Sequence, residues 1–133
     1  METLKKKATL ENLDIFLRFV KQFAQKEGFD VDISSELELV AEEVIVNIVN
    51  YAYPQEEGDV EITLSMNNNI LSFCVVDEGA PFDMTLVEDP DITLSIEEKE
   101  IGGMGIFFVK HIMDEISYER KENKNILTLA KYC

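Results

Sequence analysis

The order of periodic segments in this chain predicts an α+β fold, a two-layer α/β sandwich with three helices on one face of a mixed, mostly antiparallel sheet. Three observations carry that expectation. Apolar residues recur at three-four spacing in three stretches, around 13–24, 37–52 and 104–113. Two pairs of strand-like runs, 60–66 with 70–77 and 115–121 with 125–131, are each joined by a short polar turn. Helices over one face of a largely antiparallel sheet would bury all three apolar stripes together.

Taken in order, residues 2–9 are short and lysine-rich and read as an edge strand. From 10 to 27, Leu13, Phe16, Leu17, Val20, Phe23 and Ala24 form a helical stripe, and Gly28 follows as a C-terminal cap. The main helix is expected over 36–53, with Leu37, Val40, Ala41, Val44, Ile45, Ile48, Val49 and Ala52 on its buried side. Ser35 and Glu38 fit a capping box at its start, and Pro54 cannot continue it. The run NNN at 67–69 suits a hairpin turn, and the more continuously apolar ILSFCVVD reads as the central strand. Residues 78–102 hold two of the three prolines and no clear period, which fits either a mobile lid or a surface excursion. GGMGIFFVKHIM then opens a third helix, and ENKN marks the closing turn.

The length of 133 residues suits one domain, with a lid over about 80–102, and 46% hydrophobic residues suit a folded chain. Acidic residues outnumber basic ones, 27 to 12, for a net charge of −15. Such a surface repels phosphodiester backbones and anionic lipid, so neither direct nucleic-acid binding nor membrane association is expected. It suits solubility alone, or a protein partner with basic patches. Cys74 and Cys133 make no disulfide framework, and Cys74, inside an apolar run, reads as a small core residue. No apolar run approaches the roughly 20 residues of a spanning helix. A cytoplasmic protein is expected.

Chemistry gathers in three places. At about 100° per residue, Glu43 and Asn47 stack one turn apart on the flank of the main helix. A carboxylate and an amide so placed suit a magnesium ion and a proton acceptor, or a solvated helix flank. Asp77 ends the central strand, beside Gly79, and can accept a hydrogen bond from an exocyclic amino group or cap its own turn. Gly102, Gly103 and Gly105 open the third helix, where bare main-chain N–H groups and the helix dipole favour an anion; a tight packing loop is the alternative.

Together, a helix with Glu-x-x-x-Asn, a strand ending Asp-x-Gly, a loop, and Gly-x-Gly opening a helix resemble the Bergerat-type ATP-binding domain of gyrases, sensor histidine kinases and MutL. Within that superfamily the chain is most similar to the small anti-sigma-factor serine-protein kinases of bacteria. EEVIVNIVNYAY resembles their N-box, DEGAPFD their first glycine box and GGMGIFFVKHIMDEI their second. The resemblance implies that Asn47 ligates Mg2+ bridging to the ATP phosphates and that Glu43 is the general base. It implies Asp77 as the adenine ligand, Gly79 as the residue giving the base room, and Gly103 and Gly105 as phosphate contacts. The implied reaction is transfer of the γ-phosphoryl group of ATP to a serine or threonine of an anti-anti-sigma protein, with sequestration of a sigma factor and possible homodimerisation. A catalytically silent nucleotide-dependent protein-binding switch is the alternative. The chain departs from the family at Pro81, in place of a glycine, and at Tyr51, where relatives often have histidine. The threonine usual near adenine in the late strands has no clear counterpart, Thr128 being of doubtful register, and the lone His111 reads as structural.

Overall fold

The computed structural model describes residues 1–86 and 103–133. The chain begins with strand β1 (Glu2–Lys7), and a short 3-10 turn at Leu10–Asn12 follows, capped by the Thr9 side chain. Helix α1 (Leu13–Lys26) buries Phe16, Val20, Phe23 and Ala24 and ends at Gly28, whose φ of +100° is open to glycine without strain. Helix α2 (Val31–Asn47) leads into a π-helical turn at Ile48–Ala52. Strands β2 (Asp59–Asn67) and β3 (Ile70–Asp77) follow, then a 3-10 turn at Met84–Leu86. Helix α3 (Gly103–Ile112) and the hairpin β4 (Glu115–Lys121) and β5 (Lys124–Tyr132) complete the chain.

The five strands lie in the order β1-β2-β3-β5-β4, and all four pairings are antiparallel. The mixed component expected of the sheet is therefore not found among the described residues. The hairpins close through residues at positive φ, Asn68 and Asn69 in one and Glu122 and Asn123 in the other. Two successive left-handed residues match the right-handed twist of the flanking strands. β3 lies at the centre, as its apolar run predicts, but only one of its faces is covered. Leu71, Phe73 and Val75 point into the core, while Ser72, Cys74 and Val76 lie half-exposed on the other face. Cys74 is thus not the core residue expected. Strand alternation turns its side chain away from the helices, and partial burial beside Thr128 still raises its thiol pKa.

The core fills the space between that sheet face and the helices. Val60, Ile62, Leu64, Phe73, Leu127 and Leu129 meet Phe16, Val20, Leu37, Val40, Val44, Ile45, Ile106 and Val109. Each aliphatic or phenyl side chain removed from water here stabilises the fold by about 1.5–3 kcal/mol.

Both ends of α2 differ from the sequence expectation. Asp30, not Ser35, caps the helix, its carboxylate accepting from Ile33 N at 2.8 Å. Phe29 is buried and anchors the chain entry, so the helix starts as soon as Asp30 can satisfy its first free N–H groups. The Ser35–Glu38 pair falls inside the helix, one turn late. At the other end, α-helical bonding stops at Asn47, and the wider turn places Asn50 and Tyr51 off the α-helical register. Insertions of this kind are frequent at functional sites.

Candidate functional site

Asn47 closes the last α-helical turn of α2 and is 3% exposed. Its Nδ2 donates to the Glu43 carbonyl at 2.7 Å, which commits the amide nitrogen to the helix. Oδ1 is then the atom the side chain can offer to a cation. One turn earlier, the Glu43 carboxylate lies against Gly105 in the first turn of α3, where a Cβ would collide with it. Partial burial there pushes the Glu43 carboxyl pKa upward, and the like charge of Glu42 adds to the shift. Glu43 is consequently a stronger proton acceptor than a solvated glutamate.

The second part of the site forms where β3 runs out. Asp77 is 4% exposed, and its Oδ1 accepts from Gly79 N and from Asn125 Nδ2, both at 2.9 Å. Burial raises the Asp77 carboxyl pKa, opposed by those two donors and by the Arg120 charge. Gly79 is pressed onto the π-helical turn, where a Cβ would run into the Ala52 carbonyl, and Ala80 N donates to that carbonyl at 2.9 Å. Arg120 on β4 holds the same loop from the other side, Nη1 donating to Gly79 O at 2.8 Å. Beyond the loop, Phe82 stacks on Tyr51, with ring centroids 5.0 Å apart.

These elements border a small cavity lined by Val44, Asn47, Ile48, Ala52, Val75, Asp77, Phe82, Met84, Tyr118, Asn125 and Leu127. Its lining is mostly apolar, with Asn47 and the hydrogen-bonded group of Asp77, Asn125 and Tyr118 among it, the character of a small-molecule site. A wider depression near Lys5, Lys7, Glu57 and Lys124 is open and lined by charges already engaged in part with one another, as in the Lys7–Glu57 and Lys124–Glu78 pairs. It offers no such convergence.

Of the residues singled out in the sequence, Asn47 and Asp77 share the cavity, Gly79 shapes the loop beside it, and Glu43 meets Gly105. Gly103 is the first residue of α3. The lid expected over 80–102 lies outside the described residues from 87 onward. Sequence reasoning missed Asn125, Tyr118 and Arg120. The signal for Asn125 was available: counting from the ENKN turn, it shares the inward face of β5 with Leu127 and Leu129, where a polar residue is out of place. The same count sends Thr128 to the exposed face, opposite Cys74.

A single chain that pairs this helix flank with this cavity is defined by its fold as well as its residues, and it belongs to the histidine kinase-like ATPase domain family, whose profile matches residues 7–131. It is 27% identical over 132 residues to a serine/threonine-protein kinase, BtrW, of Bordetella bronchiseptica, a match covering 98% of this chain and 93% of that protein. It is also 27% identical over 113 residues to a serine-protein kinase, RsbW, of Bacillus cereus, covering 82% of this chain and 70% of that one. Among solved structures, the Acinetobacter baumannii histidine kinase AdeS shares the fold, with a TM-score of 0.56 at 12% identity over 99% of this chain and 68% of that one. The family is the one that the three sequence boxes predict.

Proposed function

We propose that this protein is an ATP-dependent protein kinase that transfers the γ-phosphoryl group of ATP to a serine or threonine hydroxyl of an anti-anti-sigma partner and also holds a sigma factor. The observation that carries the reading is Glu43, a half-buried carboxylate of raised proton affinity, held against the first turn of α3 one helical turn from Asn47. A module that only bound nucleotide would have no use for a base there.

In this reading the adenine enters the cavity and donates its 6-amino group to Asp77, while Gly79 keeps the loop close to Ala52 and the base unobstructed. Gly103 and Gly105 lie at the positive end of α3, where unpaired N–H groups suit phosphate oxygens. Among the described residues no cluster of three acidic, histidine or cysteine ligands could hold a metal by itself. Asn47 Oδ1 is instead a single hard donor of the kind Mg2+ accepts alongside phosphates and water, so the residues fit that ion. Bound there, Mg2+ would neutralise charge developing on the phosphates.

The protein's own steps are orientation and one proton transfer. The substrate hydroxyl oxygen bonds to the γ-phosphorus, the bond from that phosphorus to the β–γ bridging oxygen breaks, and ADP leaves. Glu43 takes the hydroxyl proton. The net charge of −15 supports partners with basic surfaces, whose association should weaken with salt as exposed charges are screened within about 8 Å. Among the described residues no helix is long and apolar enough to cross a membrane.

The test is transfer of labelled γ-phosphate from MgATP to partner proteins recovered from the native cell. A phosphorylated serine or threonine is expected. Nucleotide binding without transfer to any partner would leave the silent switch as the better reading, and no nucleotide binding at millimolar ligand would end both.

A further inference from the structure

The Asn125 side chain is 4% exposed and joins three separate segments. Its Nδ2 donates to Asp77 Oδ1 at 2.9 Å and to Ala80 O at 2.8 Å. Its Oδ1 accepts from Phe82 N at 3.3 Å and from the Tyr118 hydroxyl. Turning the amide over would set N–H against N–H and oxygen against oxygen, so only one orientation satisfies all four bonds. Direct pairing of Asp77 with Asn125 across β3 and β5 fixes where the amide begins, and Tyr118 on the neighbouring strand fixes where it points.

Asp77 Oδ1 is therefore filled twice, by Gly79 N and Asn125, while Oδ2 joins no hydrogen bond among the described residues. A buried carboxylate that lines the cavity, with one oxygen saturated and the other outside those bonds, reads donors and rejects acceptors. A carbonyl oxygen brought to Oδ2 would leave both groups desolvated and unpaired. We propose that Asn125 is the positioning and specificity-determining residue of this cavity, presenting a single acceptor to a purine 6-amino group and tying that contact to the loop at 80–82. The inference rests on the nucleotide reading of the cavity and adds a residue that reading does not use.

The experiment compares two ligands on the full chain by calorimetry with magnesium: ATP, and purine riboside 5′-triphosphate, which lacks the 6-amino group. Wild type should prefer ATP by about tenfold or more, the scale of one hydrogen bond to a charged acceptor. Asn125→Ala should bring that ratio close to unity. Asn125→Asp keeps the volume but replaces a donor with a second carboxylate, so its preference should be lost at pH 8. It should return in part toward pH 6, because a proton shared between the two carboxyls restores a donor. The other titratable groups coupled to Asp77 are Arg120 from β4 and Tyr53 from the end of the π-helical turn, whose phenol pKa burial raises further above that range.

A purely structural Asn125 would weaken both ligands equally, and an unchanged ratio in both variants overturns the assignment. Equal affinity of wild type for the two ligands overturns it while sparing the nucleotide site. Failure of wild type to bind either one removes the nucleotide reading and this inference with it. If the alanine variant does not fold, the near-isosteric aspartate variant alone decides.

Discussion

Gly105 and Glu43 touch with no room for a methyl group between them, so the first turn of α3 is seated on the carboxylate of α2. The contact joins the two sequence boxes that lie furthest apart in the chain. It also holds Glu43 partly out of water, the main cause of its raised proton affinity.

Gly105→Ala should separate stability from activity. The obstructing atoms belong to the end of a flexible side chain, so Glu43 can swing away while the helix stays in place. Alanine also favours a helix interior over glycine by about 1 kcal/mol. The unfolding midpoint should therefore change little, while displacement of the base lowers phosphoryl transfer by about 10²-fold. Thermal melts and labelled transfer measure the two effects, and transfer at the wild-type rate would show that Glu43 need not sit where it does.

Asp77→Asn tests the other end of the site through pH. The folded state raises the Asp77 pKa, so it favours the protonated form; that stability is present below the ordinary carboxylate pKa and lost as pH rises through the folded value. Asparagine cannot ionise and can still accept from Gly79 and Asn125. The variant should match or exceed wild type in stability at neutral pH and lack this part of its acid dependence, yet lose adenine-nucleotide binding. Denaturant titrations from pH 4 to 8 with parallel calorimetry would reveal it. A variant unstable at pH 7 would mean that the charge itself holds the loop.

Much of this was legible in the chain because period and turn chemistry speak locally. The three apolar stripes, the NNN and ENKN turns and the lysine-rich edge strand all lie where the pattern places them. What failed depended on neighbours distant in sequence. Asp30 displaces Ser35 as cap because Phe29 is anchored in the core, and Cys74 faces outward because only one side of the sheet is covered. Asn47, Asp77, Glu43 and Gly105 stood out through their spacing. Asn125, Tyr118 and Arg120 act through partners more than 40 residues away in two of three cases, and spacing alone does not bring such pairs together.

Tyr53→Phe should act on the loop carrying Asp77 without touching the cavity. The Tyr53 hydroxyl accepts from Glu78 N and donates to Asp59 O, each at 2.8 Å, bridging the end of β3 to the start of β2. Its removal leaves two main-chain groups short of a partner, at a cost of about 1–3 kcal/mol. The melting midpoint should fall by several degrees. Amide exchange at 78–80 should quicken selectively. Uniform quickening across the sheet would instead indicate general loosening.

The decisive pair of variants is Glu43→Gln and Asn47→Ala. Glutamine keeps the size of Glu43 but cannot take a proton, so nucleotide binding should persist while transfer falls by roughly 10²- to 10⁴-fold, the usual contribution of a general base. Asn47→Ala removes the hard oxygen donor, so magnesium-dependent binding and transfer should fail together. The pH profile separates a base from a merely well-packed side chain. Because burial and Glu42 raise the Glu43 pKa, the acid limb of transfer should lie above that of an ordinary glutamate. Glu42→Gln removes the like charge and should move that limb to lower pH, with the plateau rate unchanged. The same shift has a stability counterpart: the raised pKa favours folding when Glu43 is protonated, and that advantage is lost as pH rises through the folded value. Glu43→Gln, which resembles the protonated form, should therefore be no less stable than wild type at pH 7. Transfer by Glu43→Gln at the wild-type rate, or an acid limb indifferent to Glu42, would take the base assignment away from Glu43 and leave Asn47 as the supported half of the pair.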